Sequence, residues 1–377
     1  MTRPVIAVLG LGTMGLGLAQ LYAQAGHRVI ASDAIPAARE SARQRLAAAL
    51  DPRVKAGKLP QAERDATLAC LTVTDDLAAL KDARLVIEAV VEDLAVKQAL
   101  FAEVERHVAA DAVLATNTSS LSVAAIMANL EHPQRGIGLH FFNPAPVMKL
   151  VELVVPEGAS AEAVDLARNV TQGAGKTVIA CRDTPGFIVN RCARPYYGEA
   201  LALLEEGRSA SDIDAALLQA GYRLGPFSLV DLIGADINLA ATRGLAQAMN
   251  GHPRYHVFGA LARQVAKGHL GRKSGQGFLH PSTPGEAPAD ASALALRIEA
   301  TLANEASHLA QESGLAPQDI DTAVKLGLNF PRGPFESARA HGAGTILATL
   351  GRLEAVAPAH LKGRYVPSPE LRALIGA

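Results

Sequence analysis

Short apolar runs alternate with amphipathic stretches through the first half of the chain. The run "VIAVLG", from Val5 to Gly10, predicts a buried strand, and the apolar spacing from Gly15 to Gly26 predicts a helix. A second apolar run that closes at Asp33 predicts another strand. A strand, a helix and a strand in this order indicate two parallel strands joined by a crossover helix.

The same alternation continues to about residue 184. Residues 37–69 predict a pair of helices with a break near Pro52, Gly57 and Pro60, and residues 93–108 predict another helix. Further strands are predicted in the segments 83–91, 112–120, 135–143, 148–155 and 176–183. We therefore expect residues 1–184 to form an α/β domain.

Strand patterns end after the stretch "DTPGFIVNR". Helical patterns dominate from Arg191 to about Ala266 and resume at Ala293, and the segment between Pro281 and Ser292 is rich in Pro, Ala and Ser. We predict an all-α C-terminal domain at residues 185–281, a linker at 282–292 and a further helical domain at 293–377.

The two helical segments share an ordered set of short motifs. Asp-Ile-Asp, a Gly and then Gly-Pro-Phe occur from Asp212 to Phe227 and again from Asp319 to Phe335, with matched positions 107 or 108 residues apart. The shared order predicts that the helical domain is duplicated.

Composition and charge narrow the range of functions. A chain of 377 residues, 49% of them hydrophobic, can form two or three domains, and a formal charge of −1 gives no bulk attraction to nucleic acids or membranes. No apolar stretch approaches the roughly 18 residues that span a bilayer. Neither the N-terminal run, which belongs to a strand motif, nor the three cysteines suggest export, so we expect a cytoplasmic protein.

The stretch "GLGTMG" links the first predicted strand to the first predicted helix. Its glycines have the spacing of a dinucleotide-binding loop: Gly10 for the tight turn, Gly12 for close approach of a pyrophosphate, and Gly15 for packing of the helix on the sheet. Thr13 and Met14 complete the loop, and the amides of the helix N-terminus would face the phosphates.

Asp33 ends the second predicted strand, where a carboxylate accepts hydrogen bonds from ribose hydroxyls. Because it would repel a 2′-phosphate, it favours NAD over NADP. The alternative is a glycine turn that serves packing alone, with Asp33 on the surface.

The stretch "GLHFFNPAPVMKLVELVV" places an imidazole, His140, and a carboxylate, Glu152, within apolar runs. Buried ionisable groups are costly unless they are paired. A hydride-accepting cofactor needs a partner that removes a proton, and a carboxylate beside His140 would fix its tautomer and stabilise its charged form. The alternative is a core histidine and a strand-end charge without catalytic roles.

The chain resembles the L-3-hydroxyacyl-CoA dehydrogenase family over essentially its full length. The resemblance is carried by "VLGLGTMGLGLA", "VIEAVVEDLAVKQALF", "TNTSSLS", "GLHFFNPAPVMKLVEL", "DTPGFIVNR", "GPFSLVDLIGAD" and "GRKSGQGF". It implies a Rossmann domain followed by a helical domain, NAD as cofactor, and oxidation of 3-hydroxyacyl-CoA to 3-ketoacyl-CoA or the reverse.

The resemblance also implies roles for individual residues. His140 would be the catalytic base and Glu152 its partner, while Ser119 and Asn190 would hold the substrate oxygen. Further cofactor contacts are implied for Glu92, Lys97, Asn117, Asn143 and Lys273.

Several of these residues have structural alternatives. Ser119 could cap a helix that begins near Leu121, although Ser120 is the better candidate for that cap. Glu92 and Lys97 could be a solvated helix pair. Asn190 could form a cap or a turn, and Lys273 could lie on the surface without a role.

Two features depart from the family pattern. The arm at residues 37–69 is Ala-rich, and Arg45, Lys55 and Lys58 are among its few candidates for coenzyme A phosphates. A dehydrogenase of a free hydroxy acid such as gulonate, or a non-catalytic NAD-binding structural protein, therefore stays open. The duplicated tail suggests either a homodimer or an intramolecular pseudo-dimer.

Overall fold

The structure, a computed structural model that describes residues 3–376, divides into two compact units after Thr184. Unit 1 runs to Thr184 and contains strands and helices, whereas unit 2 starts at Pro185 and is helical. The expected order of an α/β domain followed by a helical region is confirmed.

Unit 1 is built on one eight-stranded sheet in the order β3-β2-β1-β4-β5-β6-β7-β8. Its strands are β1 Val5–Leu9, β2 Val29–Ser32, β3 Leu71–Val73, β4 Ala83–Glu88, β5 Val113–Thr116, β6 Gly136–Phe141, β7 Leu150–Val155 and β8 Thr177–Arg182. Its helices are α1 Thr13–Gln24, α2 Pro36–Lys55, α3 Gln61–Ala69, α4 Leu94–Glu105, α5 Val123–Met127 and α6 Ala161–Gly173. Neighbouring strands are parallel except β6 and β7. The central strands are almost fully buried, as expected for a sheet covered on both faces.

One strand of unit 1 was not predicted from the sequence, and the predicted break of the helical pair is confirmed. Strand β3 was not predicted, because it has three residues and lies at the sheet edge. Helix α2 continues through Pro52 to Lys55, so the break of the helical pair falls after that proline. Gly57, with a φ of 66°, lies in the connection to α3.

Unit 2 contains ten helices in its described part. They are α7 Val189–Glu205, α8 Ala210–Gln219, α9 Pro226–Ile233, α10 Ala235–Ala248, α11 Gly259–Ala266, α12 Ala291–Ser313, α13 Pro317–Leu328, α14 Pro334–His341, α15 Ala343–Val356 and α16 Leu371–Gly376. Helix α12 begins two residues before the predicted restart at Ala293. It packs against α7, α8 and α14, and most of its length is buried.

The repeated sequence motif forms the same structure twice in unit 2. Asp214 accepts the amides of Phe227 at 2.9 Å and Ser228 at 2.7 Å, at the start of α9. In the second copy, Asp321 accepts the amide of Phe335 at 2.8 Å, at the start of α14. The glycine of each Gly-Pro-Phe lies against this aspartate, because a Cβ on Gly225 would come within 2.2 Å of the Asp214 carboxyl carbon. The motif is therefore a carboxylate that satisfies the first amides of a helix.

Helices α7 and α12 are joined by two reciprocal ion pairs. Arg191 Nε donates to Glu305 Oε1 at 2.6 Å, and Arg297 Nε donates to Glu199 Oε1 at 2.7 Å. Arg297 lies 106 positions after Arg191, and Glu305 lies 106 positions after Glu199. Each arginine therefore binds the glutamate of the opposite copy.

The surroundings of the two glutamates repeat as well. Arg254 and Tyr255 donate to Glu305 at 2.9 and 2.5 Å, and Arg364 and Tyr365 donate to Glu199 at 3.2 and 3.0 Å. Such an exchange of equivalent contacts is the pattern of an isologous two-fold interface, here within one chain. We name these groups the Glu305 cluster (Arg191, Arg254, Tyr255, Glu305) and the Glu199 cluster (Arg297, Arg364, Tyr365, Glu199).

Among the described helices, none is both long and apolar enough to cross a membrane.

Candidate active site

The glycine loop follows β1 and leads into α1. Gly10 has a φ of +93°, and a Cβ there would lie 2.5 Å from the Ala89 carbonyl oxygen, so both the backbone angle and the space require glycine. A Cβ on Gly15 would lie 1.7 Å from the Gly10 carbonyl oxygen. In front of Gly12, by contrast, a Cβ would meet nothing within 4 Å, which leaves the space that a pyrophosphate would need beside Thr13 at the start of α1.

Asp33 lies just after β2 and connects this strand to the glycine loop. Its Oδ2 accepts the Leu11 amide at 2.6 Å, and its Oδ1 accepts the Ile35 amide at 2.8 Å. Each carboxylate oxygen can accept more than one hydrogen bond, so Asp33 can also receive ribose hydroxyls. Arg45, a candidate for coenzyme A, instead donates to the Leu11 carbonyl at 2.8 Å, while Lys55 is exposed near the end of α2. Lys58 is exposed too.

His140 and Glu152 are directly opposite each other on the antiparallel strands β6 and β7. His140 Nδ1 lies 2.5 Å from Glu152 Oε2, and the side chains are 8% and 0% exposed. The Phe142 ring packs against the imidazole at 4.5 Å between centroids. The pairing of His140 with Glu152 offsets the cost of burying two ionisable groups within apolar runs.

A buried polar cluster lies at the ends of β4 and β5. Lys97 Nζ donates to Glu88 Oε1 at 2.6 Å and lies 3.3 Å from Glu92 Oε2. The Thr116 hydroxyl donates to the other Glu88 oxygen at 2.7 Å. Since the Lys97 side chain is 1% exposed, the alternative of a solvated helix pair is wrong. Glu88 was missed by the sequence analysis, although a carboxylate inside the run "RLVIEAVV" could have drawn attention to it.

The segment from Asn117 to Ser120 connects β5 to α5. Asn117 Oδ1 accepts the amide of Phe141 at 2.9 Å, next to His140 on β6. Glu92 Oε1 accepts the Thr118 hydroxyl at 2.6 Å and the Ser119 amide at 3.0 Å. Ser119 is therefore carried by a loop that is hydrogen-bonded to the buried cluster.

The predicted caps for the helix after this loop are wrong. Helix α5 begins at Val123, and Ser122 is its N-cap, because the Ser122 hydroxyl accepts the Ala125 amide at 3.2 Å. Asp183 accepts the amides of Val123 and Ala124 at 3.0 and 2.8 Å. Neither Ser119 nor Ser120 is needed as a cap.

These residues of unit 1 lie at the carboxyl-terminal end of the sheet. The glycine loop, Asp33 and the Ser119 loop follow the carboxyl ends of parallel strands. Glu88 is the last residue of β4, and His140 lies near the same end of β6. Open α/β sheets bind their ligands at this carboxyl-terminal end. Asn143 follows two residues after β6.

Two predicted residues belong to unit 2. Asn190 lies in the first turn of α7, where its carbonyl accepts Arg194 Nε at 3.1 Å. Lys273, partly exposed, forms an ion pair with Asp236 at 2.5 Å. The loop that carries Lys273 is held further on by Asp231, which accepts the amides of three consecutive residues, Phe278, Leu279 and His280.

Comparison with family models decides the family. The model described as "3-hydroxyacyl-CoA dehydrogenase, NAD binding domain" matches residues 5–184, and that of the C-terminal domain matches residues 186–280 and 294–377. The chain belongs to the 3-hydroxyacyl-CoA dehydrogenase family. It is therefore an NAD-dependent oxidoreductase, and the open space before Gly12 together with Asp33 fits NAD.

Relatives of this dehydrogenase family include proteins of different lengths. The chain is 46% identical over 274 residues to 3-hydroxyadipyl-CoA dehydrogenase of Escherichia coli (72% of this chain), and it spans 58% of that relative's length. It is 42% identical over 281 residues to 3-hydroxybutyryl-CoA dehydrogenase of Mycobacterium tuberculosis, covering 72% of this chain and 96% of the relative.

A solved member of the family matches almost the whole fold. The crystal structure of 3-hydroxybutyryl-CoA dehydrogenase from Escherichia coli K12 has a TM-score of 0.91 and 33% identity, and the match covers 99% of this chain and 98% of that one.

Proposed function

We propose that the chain oxidises L-3-hydroxyacyl-CoA to 3-ketoacyl-CoA, or catalyses the reverse reduction, with His140 as the catalytic base. The observation that carries the proposal is the buried His140–Glu152 pair at 2.5 Å, near the carboxyl-terminal end of the sheet, where the glycine loop also lies. Bound NAD+ would accept a hydride from carbon 3 of the substrate.

The proton is handled by the protein. Because Nδ1 of His140 is hydrogen-bonded to Glu152, the imidazole would take the hydroxyl proton at Nε2. The Glu152 carboxylate then stabilises the imidazolium and keeps the ring in one orientation. Because Glu152 is fully buried, this stabilisation acts with little screening by solvent.

The substrate oxygen needs hydrogen-bond donors while it becomes a ketone. We assign this role to the Ser119 hydroxyl and the Asn190 amide group, as the family resemblance implies. Arg45, Lys55 and Lys58 stay candidates for the coenzyme A phosphates, although Arg45 already contributes one donor to the glycine loop.

The cofactor contacts are proposed for two groups of residues. The loop Gly10, Gly12, Thr13, Met14 and Gly15 would hold the pyrophosphate, and Asp33 the adenosine ribose. Asn117, Asn143 and Lys273 are proposed for the remainder of NAD. Glu92 and Lys97, which the resemblance also places at the cofactor, stay candidates for this contact.

The test is a rate measurement at the absorbance of NADH with acetoacetyl-CoA, extended to 3-hydroxybutyryl-CoA and 3-hydroxyadipyl-CoA. The names of the relatives suggest these two acyl groups. We expect turnover with the thioesters and a much lower rate with free hydroxy acids such as gulonate. Faster turnover of the free acids would support the alternative substrate class, and no turnover of any substrate would support a non-catalytic protein.

We further propose that unit 2 is an intramolecular pseudo-dimer whose second copy is structural. The reciprocal Glu305 and Glu199 clusters support the two-fold relation. The exposed surface supports the difference in role: the first copy exposes Leu232, Ile233 and Ile237, whereas Ala340, His341 and Thr345 stand at the positions 108 residues later. Truncation before Ala291 should therefore remove the partner of Arg191 and give an aggregated or inactive product in size-exclusion chromatography. A fully active monomer would contradict the pseudo-dimer.

A further inference from the structure

The polar cluster in unit 1 is built around three charged side chains, of which Glu88 and Lys97 are buried and Glu92 is 37% exposed. Glu88 ends β4, Glu92 lies in the connection that follows, and Lys97 belongs to α4. Within this cluster Lys97 Nζ lies between the two carboxylates, at 2.6 and 3.3 Å. An ammonium group that is 1% exposed is stable only when it is paired in this way, so Lys97 is a fixed counter-charge.

Glu88 fixes the position of Lys97 within the fold. Its Oε1 also accepts the Val90 amide at 2.6 Å, and its Oε2 accepts the Thr116 hydroxyl at 2.7 Å. The Glu88 side chain is 0% exposed and is thus anchored to the ends of both β4 and β5. The ammonium group is held at a defined point beneath the connection between β5 and α5.

Glu92 transmits this fixed position to the loop that follows β5. One of its oxygens accepts three donors from consecutive residues: the Thr118 hydroxyl at 2.6 Å, the Ser119 amide at 3.0 Å and the Ser120 hydroxyl at 3.0 Å. Burial raises the pKa of Glu92, but the Thr118 hydroxyl, Lys97, the Ser119 amide and the Ser120 hydroxyl together lower it further. The pKa therefore lies below its usual value, and the carboxylate stays ionised as an acceptor at neutral pH.

We propose that Glu92 is a positioning residue that fixes the loop Thr118–Ser120, and with it the Ser119 hydroxyl, while Lys97 and Glu88 hold Glu92 in place. This inference rests on the role proposed for Ser119. It gives Glu92 a role besides the cofactor contact that the resemblance implies for Glu92 and Lys97. The difference matters for catalysis because a displacement of about 1 Å in a positioned group can lower the rate by about 10²-fold.

The test combines Glu92→Gln with Ser119→Ala in a double-mutant cycle. Glutamine keeps the size of the side chain but has one acceptor oxygen and one NH2 donor. If its oxygen accepts the three loop donors, its NH2 faces Lys97; if its oxygen faces Lys97, its NH2 faces the loop donors, so either orientation places donor against donor. Glu103→Gln is the matched control, because Glu103 is a more exposed carboxylate on the same helix as Lys97, paired with Arg106 and His107. The readouts are kcat and KM with acetoacetyl-CoA and the Kd of NADH.

At saturating NADH we expect Glu92→Gln to lower kcat about 10- to 100-fold, with Glu103→Gln unchanged. In the Ser119→Ala background the same substitution should lower kcat by less than about threefold, because Glu92 acts through Ser119. An equal loss in both backgrounds, or a loss confined to the Kd of NADH, would overturn the proposal.

Two further measurements distinguish a failure of this proposal from a folding defect and from a failure of the role proposed for Ser119. If Glu92→Gln fails to fold, the double variant Thr118→Val with Ser120→Ala removes two of the three donors and keeps the charged cluster, and the same losses are expected. Hydrogen exchange in the segment 113–122 should become faster in either variant. A wild-type kcat in Ser119→Ala alone would contradict the proposed role of Ser119. In that case the exchange rates test whether Glu92 fixes the loop: faster exchange in the Glu92 variant supports this, and unchanged exchange overturns it.

Discussion

Removal of the charge at the centre of the Glu305 cluster should destabilise unit 2 strongly. The change is Glu305→Gln, which keeps the side-chain volume but leaves Arg191 and Arg254 without their shared carboxylate. Both ion pairs are short, at 2.6 and 2.9 Å, and the Glu305 and Arg191 side chains are 1% and 2% exposed. Loss of one partner of a buried ion pair costs about 3–5 kcal/mol, because the remaining charge stays in the interior.

The repeat supplies an internal comparison. Glu199→Gln leaves Arg297 and Arg364 in the equivalent situation, so its cost should agree with that of Glu305→Gln within about 1 kcal/mol. Glu312→Gln is the control. Glu312 also pairs with Arg191, but its side chain is 48% exposed, and an exposed pair contributes about 0–1 kcal/mol.

Tyrosine fluorescence is a suitable assay because the protein lacks Trp and has six Tyr, of which all but Tyr22 lie in unit 2. Thermal unfolding should show a Tm lower by roughly 6–20 °C in both buried variants, and by at most roughly 4 °C in Glu312→Gln. Equal shifts in all three variants would refute the reasoning from burial. A large shift in only one buried variant would refute the two-fold equivalence.

Two further predictions concern the cofactor site and the pH dependence of stability. Asp33→Asn should raise the Kd of NAD+ about 10- to 100-fold, since hydrogen bonds to a charged group contribute about 1.5–3 kcal/mol; titration of the intact protein tests this, and an unchanged Kd would contradict the ribose contact. Burial raises the pKa of Asp214 from 3.8 to about 6, so the folded state holds this proton more tightly than the unfolded chain does. The contribution of Asp214 to the free energy of unfolding is fully present below pH 3.8. It decreases by up to about 3 kcal/mol as the pH rises to about 6. Asp214→Asn should therefore show a smaller decline between pH 4 and 6 in urea unfolding, and identical pH profiles would count against the buried protonated carboxyl.

Local patterns were sufficient for most elements of the fold. The apolar runs gave the strands of unit 1 except β3, because a buried parallel strand is apolar along its whole length. Strand β3 has three residues with only one buried, too short for a periodic signal. The amphipathic spacing after Arg191 and the duplicated motif likewise correspond to helices in the structure.

The site was predictable where its chemistry depends on short motifs. The glycine loop and the carboxylate after β2 follow from their spacing, and the structure brings His140 and Glu152 together across β6 and β7. Their catalytic roles stay predictions. The cap of α5 was missed because Asp183 lies 59 residues or more from the amides that it accepts.

The charged clusters could not be predicted for the same physical reason. Arg191 and Glu305 are 114 positions apart, and their contact depends on how α7 and α12 pack. The role of Lys97 also depends on tertiary structure, because the sequence does not show that Lys97 is buried against Glu88 of β4. Periodicity reports which face of a helix is buried, but it does not report which residue lies opposite.

The central claim is that His140, oriented by Glu152, removes the substrate proton while hydride passes to NAD+. The most direct test is kcat of His140→Gln at saturating NAD+ and 3-hydroxybutyryl-CoA, with the Kd of NADH measured on the same sample. The account predicts a kcat lower by about 10²- to 10⁴-fold and an unchanged Kd. A kcat equal to that of the wild type would contradict it.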